Sequence, residues 1–264
     1  MSALARRFAE AGRPLLVGYL PAGFPSVDGA IVAMRAMVEA GVDVVEVGLP
    51  YSDPLMDGPV IQDAVDAALR AGATTRDVLR TVEAVAATGA PTVVMTYWNP
   101  VESYGVPAFA RDLAAAGGAG VITTDLLPEE AGEWLAAADA TGLDPIFLVA
   151  PSSPVARLRR VAGVTRGFIY AASTMGVTGE RTATSLVAPD LVARVRAVTD
   201  LPVCVGLGVS DGAQAAEVAD FADGVAVGSA LVRALGAGGV AAVEALAADL
   251  AGGVRGSRAT QRGT

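Results

Sequence analysis

Short apolar runs alternate along the chain with longer segments in which apolar and polar positions recur at helical spacing. Because the short runs are apolar on both faces, they predict parallel strands buried between helices. Helical patterns such as Val27–Ala40 and Pro128–Thr141 follow them. The eight predicted strands are Leu15–Leu20, Val42–Val47, Thr92–Tyr97, Gly120–Thr124, Pro145–Val149, Gly167–Tyr170, Val203–Gly206 and Gly224–Val227.

Eight strand–helix units in one chain predict an α/β fold, a single-domain (β/α)8 TIM barrel with extra helices. A doubly wound open sheet is the alternative, but it usually has fewer strands and a glycine fingerprint after the first one. The extra helices are an N-terminal helix, Ala3–Ala11, and a second helical pattern between Pro59 and Thr88. We expect the barrel to span residues 1–251 and the tail, 252–264, to be disordered, because Gly, Arg, Ser and Thr dominate it.

Composition and charge narrow the class of protein. Of the 264 residues, 53% are hydrophobic and 18% charged, as in an ordinary folded domain. The net charge of −9 argues against a nucleic-acid partner, which requires clustered cations. The single cysteine, Cys204, has no internal partner for a disulfide, which suits a reducing compartment. The chain shows no basic leader and no apolar run of about 18 residues, so we expect a cytoplasmic protein without a membrane span.

Two carboxylates are candidates for chemistry. Glu46 interrupts an apolar strand and shares a face with Val42 and Val44, where burial raises the pKa of a carboxyl group. Asp57 lies in the following loop, and barrel chemistry takes place in such βα loops. Two alternatives stay open: Glu46 is a structural residue held by backbone amides or a tyrosine, and Asp57 is a turn residue that caps its own backbone.

Glycine-rich turns follow the last three predicted strands. In barrels, the loops after strands seven and eight and a short helix commonly cradle a phosphate group with backbone N–H groups. Ser229 would open that helix, Ala230–Leu235. Glycine is also the default residue of tight turns, so each turn alone is weak evidence. The turns are Gly176-Val177-Thr178-Gly179, Gly206-Leu207-Gly208-Val209-Ser210 and Gly228-Ser229.

The chain contains neither histidine nor lysine. This excludes a Schiff-base aldolase, a covalently anchored pyridoxal phosphate and a zinc site with imidazole ligands, and one cysteine excludes a thiolate cluster. Carboxylate-bound magnesium is a weak remaining option, and we expect no metal site. Acid–base chemistry near neutral pH then depends on Asp, Glu, Tyr or Cys. The pattern favours metal-free proton transfer by carboxylates on a phosphorylated small molecule.

The segment from Val45 to Gln62, VEVGLPYSDPLMDGPVIQ, resembles the signature of the tryptophan synthase alpha subunit family. The resemblance covers the whole chain except the tail, and the segment from Glu46 to Gln62 is highly specific. Four other motifs carry it further: Tyr19-Leu20-Pro21-Ala22-Gly23, Tyr97-Trp98-Asn99-Pro100, Gly176-Val177-Thr178-Gly179 and Gly206-Leu207-Gly208-Val209-Ser210.

The resemblance implies a carbon–carbon lyase of tryptophan biosynthesis. Indole-3-glycerol phosphate would be cleaved in a retro-aldol sense to indole and glyceraldehyde 3-phosphate, with the indole ring as electron sink. By motif, Glu46 would move a proton between indole C3 and the glycerol hydroxyl. Asp57 would accept the indole N–H and stabilise the positive charge that develops on the ring.

The resemblance also implies roles for other residues around the site. Loops Leu49–Pro59 and Ala172–Leu186 would form a lid over the site. Asp125 matches a carboxylate that backs the site, without a catalytic role. Thr174 and Phe24 depart from residues frequent in the family, Arg and Asp. Substrate-binding residues would be Tyr19, Ile61, Tyr97, Tyr170 and Thr178, and phosphate-binding residues Gly179, Gly208, Gly228 and Ser229.

The family's partner is a beta subunit that carries pyridoxal phosphate, usually in an α2β2 heterotetramer, so no cofactor is expected on this chain. The loops Pro54–Pro59 and Pro100–Gly105 are candidates for the interface. Two other functions stay open. One is another phosphate-binding barrel enzyme of the tryptophan pathway, and the other is a non-catalytic phosphate-binding activator of a partner enzyme.

Overall fold

A computed structural model describes residues 1–173, 187–206 and 208–257. Its strands are β1 Leu15–Pro21, β2 Val44–Gly48, β3 Thr92–Thr96, β4 Gly120–Thr123, β5 Asp144–Val149, β6 Ile169–Ala172, β7 Val203–Gly206 and β8 Gly224–Val227. Its helices are α1 Ala3–Ala11, α2 Val27–Glu39, α3 Pro59–Arg70, α4 Thr75–Ala86, α5 Trp98–Tyr104, α6 Val106–Ala115, α7 Gly132–Thr141, α8 Val155–Val164, α9 Val187–Arg196, α10 Gly212–Ala219 and α11 Ser229–Arg255.

The strands form a closed barrel in chain order, with every neighbouring pair parallel and β8 paired to β1. This confirms the predicted (β/α)8 barrel, and the observed strand ends lie within two residues of the predicted ones. The open sheet is thereby excluded. In the β1–β2 register, Tyr19 lies beside Glu46. The carboxyl ends of all eight strands meet at one end of the barrel, which is where barrel enzymes carry their chemistry.

Side chains fill the barrel interior in layers, and a larger shell joins the outer strand faces to the helices. Helix α1 closes the end where the strands begin. Leu4 of this helix is fully buried in the interior cluster, and Phe8 packs on Phe168 with ring centroids 5.8 Å apart. Ser2 caps the helix by accepting a hydrogen bond from the amide of Ala5. The predicted N-terminal helix is confirmed.

Three boundaries differ from the sequence predictions. Helix α7 begins at Gly132 rather than Pro128. Helix α5 occupies most of Pro100–Gly105, so the prediction of a loop there is wrong. Helix α11 continues to Arg255, a few residues beyond the predicted end of the barrel at residue 251. Val254 is fully buried and the guanidinium of Arg255 donates to the carbonyl of Gly41, so packing holds the helix beyond that point. The rest of the predicted tail, 258–264, lies outside the described residues.

Helix α11 is long and apolar enough to cross a membrane by length and composition alone, with a mean hydropathy of 1.5 in its most apolar window. Its packing assigns it to the barrel instead. It lies against α10, α2 and β1, and its backbone leaves the helical conformation at Gly239, where φ is 65°. The first segment of this helix begins beside the cavity described below.

Candidate active site

A cavity of about 430 Å³ opens at the carboxyl ends of the strands. It is where the barrel interior meets the βα loops, the expected place for chemistry in this fold. Seven of the eight strands contribute a side chain or a glycine to its wall: Tyr19, Glu46, Met95, Leu148, Tyr170, Gly206 and Ala226.

Glu46 lies at the bottom of this cavity and is 1% exposed. Its Oε1 atom is buried and has no hydrogen-bond partner among the described residues. Burial raises the pKa of the carboxyl group from its ordinary value of 4.5 to about 8. A structural glutamate usually has its carboxyl oxygens satisfied, whereas Oε1 of Glu46 is unpaired within the described part of the chain. At neutral pH it is mostly protonated and faces the cavity, which is the state of a general acid ready to react.

Asp57 reaches the same cavity from the loop between β2 and α3. It is half-buried, and burial raises the pKa of its carboxyl group, whereas a hydrogen bond from the Tyr97 hydroxyl opposes this shift. The side-chain amide of Gln62 donates to the backbone carbonyl of Asp57 at 2.7 Å. Gly58 is the N-cap of α3, and this residue makes no side-chain cap bond in the described structure. The Asp57 side chain lines the cavity, with the Tyr97 hydroxyl beside it.

Two buried phenols, Tyr19 and Tyr170, complete the polar part of the cavity wall. Burial raises the pKa of both hydroxyls well above 10, and the charges of Asp57 and Glu46 raise that of Tyr19 further. Tyr19 thus lies within the field of both carboxylates, and both phenols remain neutral donors or acceptors. Each ring leans over a glycine of the neighbouring strand: a Cβ atom at Gly48 would lie 2.3 Å from the Tyr19 hydroxyl, and one at Gly206 would lie 2.6 Å from the Tyr170 hydroxyl.

We expect Gly48→Ala to destabilise the fold by about 1–3 kcal/mol, the usual effect of overpacking, and to raise KM by moving the Tyr19 ring. Gly163→Ala is the matched control, because no atom of the described residues lies within 4 Å of a Cβ atom there and alanine favours the helix. Urea unfolding and steady-state kinetics measure both effects. Unchanged stability and kinetics in Gly48→Ala would show that the ring has room to move.

The cavity has one apolar side and one side of small residues. Met56, Ile61, Met95, Leu148 and Ala150 line the first, which suits a flat aromatic ring. The second consists of Gly206, Gly208, Gly228 and Ser229, at the ends of β7 and β8. No arginine of the described residues lines the cavity.

The side of small residues has the form of an anion cradle. Gly208 has φ of 72°, a conformation that favours glycine. Ser229 is the first residue of α11, so the positive end of the helix dipole faces this part of the cavity. This wall offers backbone donors to an anion such as phosphate.

The structure brings together most of the residues singled out from the sequence. Glu46, Asp57, Tyr19, Ile61, Tyr170, Gly208, Gly228 and Ser229 all line the cavity. Thr178 and Gly179 lie outside the described residues, as do Thr174, Leu207 and most of the predicted lid Ala172–Leu186.

Three other singled-out residues lie elsewhere. Tyr97 is buried behind the loop that carries Asp57 and does not line the cavity. Asp125 accepts a hydrogen bond of 2.7 Å from the amide of Trp98, at the start of α5. Phe24 packs against the first segment of α11, where a Cβ atom at Gly236 would lie 3.5 Å from its ring.

The sequence reasoning missed several cavity residues, among them Met56, Met95, Thr124, Leu148 and Ser173. The Ser173 hydroxyl is buried and has no hydrogen-bond partner within the described ranges of the chain. The alternation of side chains along a strand could have identified two of these residues. Met95 and Leu148 each lie two residues beyond an interior side chain of the same strand, Val93 and Ile146, and so face the same way.

A larger cavity of about 620 Å³ lies at the opposite end of the barrel, where the strands begin. Its arginines are already paired: Arg196 with Asp223 at 2.8 Å and Arg13 with Asp43 at 2.8 Å. That end of a barrel serves stability rather than chemistry. In the described part of the chain, no three His, Cys, Asp or Glu side chains cluster to hold a metal ion.

Comparison with known proteins agrees with this geometry. A sequence model of the family described as tryptophan synthase alpha chain matches residues 6–252. The tryptophan synthase alpha chain of Salinispora arenicola is 65% identical over 249 residues, covering 92% of this chain and 93% of the relative. That of Mycobacterium avium is 61% identical over 243 residues, covering 92% and 90%.

Solved structures give the same result. A crystal structure of tryptophan synthase from M. tuberculosis has a chain with a TM-score of 0.90 and 54% identity, covering 97% of this chain and all of that one. The tryptophan synthase alpha subunit from Legionella pneumophila has a TM-score of 0.88 at 30% identity, covering 96% and 98%. The chain therefore belongs to the tryptophan synthase alpha chain family.

Proposed function

We propose that Glu46 and Asp57 are the acid–base residues with which this chain cleaves indole-3-glycerol phosphate to indole and glyceraldehyde 3-phosphate. A carbon–carbon lyase of this kind must protonate a ring carbon and deprotonate a hydroxyl group. The observation that carries the proposal is the buried carboxyl group of Glu46, whose Oε1 atom has no hydrogen-bond partner among the residues that the structure describes and whose pKa of about 8 keeps it mostly protonated at neutral pH.

The proposed reaction has two proton transfers. Protonated Glu46 gives its proton to C3 of the indole ring, and the ring becomes an indoleninium cation. Asp57, as a carboxylate, accepts the ring N–H and stabilises the positive charge there. Glu46, now a carboxylate, takes the proton of the glycerol hydroxyl next to the ring. The bond between C3 and that carbon breaks, its electron pair returns to the ring, and the carbonyl group of the aldehyde forms.

The remaining cavity walls supply binding. The apolar side, with Ile61, Met95 and Leu148, takes the indole ring. Both phenols are neutral: Tyr19 lies close to both carboxylates and Tyr170 lies close to Glu46. The glycine-rich wall at Gly208, Gly228 and Ser229 takes the phosphate group through backbone amides and the α11 dipole. No arginine of the described residues lines the cavity, and the donors that this wall offers are neutral.

As an alpha chain, the protein carries no cofactor of its own, and pyridoxal phosphate belongs to the beta subunit. The beta subunit is its partner, and we propose an α2β2 assembly in the cytoplasm. Leu55 and Met56 are 79% and 53% exposed at the tip of the loop that carries Asp57, an apolar surface that suits burial by a partner. The single thiol, Cys204, is buried and free, in keeping with a reducing compartment.

The test is to incubate the purified chain with indole-3-glycerol phosphate and measure indole and glyceraldehyde 3-phosphate separately. We expect both products in equal amounts, slowly from the chain alone and much faster with a tryptophan synthase beta subunit. A non-catalytic activator would release no indole under either condition. Another barrel enzyme of the pathway would change its own substrate and leave indole-3-glycerol phosphate intact. Either of these results would overturn the proposal.

A further inference from the structure

The loop that carries Asp57 has few connections to the barrel. It runs from Leu49 to Gly58, and Leu55 and Met56 extend into solvent. Its distal part is held by two side chains of the described residues, Gln62 and Tyr97. The Gln62 amide donates to the Asp57 carbonyl, and the Tyr97 hydroxyl accepts from the amide of Met56 at 2.9 Å. The position of the Asp57 carboxylate therefore depends on very few contacts.

Tyr97 is the better anchored of these two partners. It follows β3 directly and is 4% exposed, so its ring is fixed by the barrel. The ring of Tyr51, at the start of the loop, packs on it with centroids 5.3 Å apart and planes 34° apart. Gln62, by contrast, is an exposed residue of α3. One rigid side chain thus holds the loop at Tyr51 and at Met56.

The hydroxyl of Tyr97 also acts on the carboxylate itself. It accepts a hydrogen bond from the Met56 amide, and its own O–H group donates to the Asp57 carboxyl group. Such a bond favours the charged form, and it opposes the upward shift of the Asp57 pKa that burial causes. Burial raises the pKa of Tyr97, which keeps this hydroxyl protonated. Tyr19 is the other titratable side chain whose pKa responds to Asp57 within the described residues, and it is neutral as well.

We infer that Tyr97 is a positioning residue: its hydroxyl fixes the loop through the Met56 amide and holds Asp57 in place and ionised for the reaction. This assignment rests on the proposed function. It differs from the substrate contact that the family resemblance implies for Tyr97, a residue that is not among those lining the cavity. The inferred role concerns the hydroxyl group, and the ring alone cannot fulfil it.

Tyr97→Phe isolates that hydroxyl, since the ring and its packing on Tyr51 are retained. We expect kcat to fall about tenfold or more with little change in KM, because a hydrogen bond to a charged group is typically worth more than a factor of ten. The acidic limb of the kcat profile should move to higher pH, because Asp57 loses the hydrogen bond that favours its charged form. The control is Thr141→Val, which removes a hydroxyl that donates at 2.8 Å to the carbonyl of Ala137 in α7, outside the cavity lining and the candidate interface. It should retain wild-type kinetics and pH profile.

A double-mutant cycle decides whether Tyr97 acts through Asp57. In an Asp57→Asn background, Tyr97→Phe should lower kcat little further, because the carboxylate it serves is gone. A full additional loss there would show that Tyr97 acts independently, and wild-type kinetics with an unmoved pH profile in the single variant would also overturn the inference. Absence of indole from the wild-type chain would instead refute the proposed function, so the two failures are distinguishable.

Discussion

Replacing Glu46 by glutamine should abolish most of the indole-forming activity while leaving the fold intact. Glutamine has nearly the shape of the protonated acid but can neither give up nor receive the proton that the reaction moves. A general acid–base group typically supplies about 10²- to 10⁴-fold, and Glu46 serves in both proposed proton transfers, so a loss toward the upper end is expected. The loss should lie in kcat, because the apolar and phosphate-binding walls of the cavity are unchanged.

The same substitution should stabilise the protein above neutral pH. Folding raises the pKa of Glu46 from 4.5 to about 8, so the folded state holds a proton that the unfolded state releases in that interval. Stability therefore falls as pH rises from about 4.5 to 8, by on the order of 5 kcal/mol at about 1.4 kcal/mol per pKa unit. A neutral glutamine has no such dependence. Urea unfolding across this interval should show a gain for Glu46→Gln that grows with pH.

The control is Glu83→Gln, which makes the same chemical change on an exposed position of α4. It should leave both activity and the pH dependence of stability at wild-type levels. Wild-type turnover in Glu46→Gln would refute the proposed mechanism. Lost activity together with an unaltered pH dependence of stability would show that Glu46 is needed but is not a buried, protonated acid.

How far the sequence predicts the structure depends on the range of the interactions involved. The strands are found to within two residues because each is an apolar run buried on both faces, which is a local property. Helix α5 is not found, because Asn99-Pro100 has the character of a turn. The bond that supports the start of this helix comes from Asp125, which is 27 residues away in sequence.

The same difference applies to the site. Glu46 is conspicuous because a charged residue within an apolar strand needs an explanation. Leu148 is apolar at an apolar position and carries no chemical signal, so only strand alternation could identify it. The connection between Tyr97 and the Asp57 loop depends on how β3 and the loop pack together in three dimensions. No spacing along the chain indicates such a contact.

Asp57→Asn should reduce kcat by about 10²- to 10³-fold, the usual effect of removing one group that stabilises charge in the transition state. The amide oxygen can still accept the indole N–H, so substrate binding and KM should change little. What is lost is the negative charge beside the indoleninium cation. Asp63→Asn, an exposed aspartate of α3 outside the cavity, is the control and should behave as wild type.

The pH dependence of kcat distinguishes the role of Asp57 from that of Glu46. In the wild type, kcat should fall at high pH as Glu46 loses its proton around its pKa of about 8. It should also fall at low pH as Asp57 becomes protonated, and because burial raises the pKa of Asp57, this occurs above the ordinary carboxyl pKa of 3.8. Asp57→Asn should therefore lose the acidic limb of the profile and keep the basic one. If Asp57 only shaped the loop, the substitution would lower kcat at every pH and leave both limbs in place. Among the described residues, Glu46 and Asp57 are the carboxyl groups that line the cavity. The acidic limb is therefore attributed to Asp57, and its persistence in Asp57→Asn would contradict the role proposed for this residue.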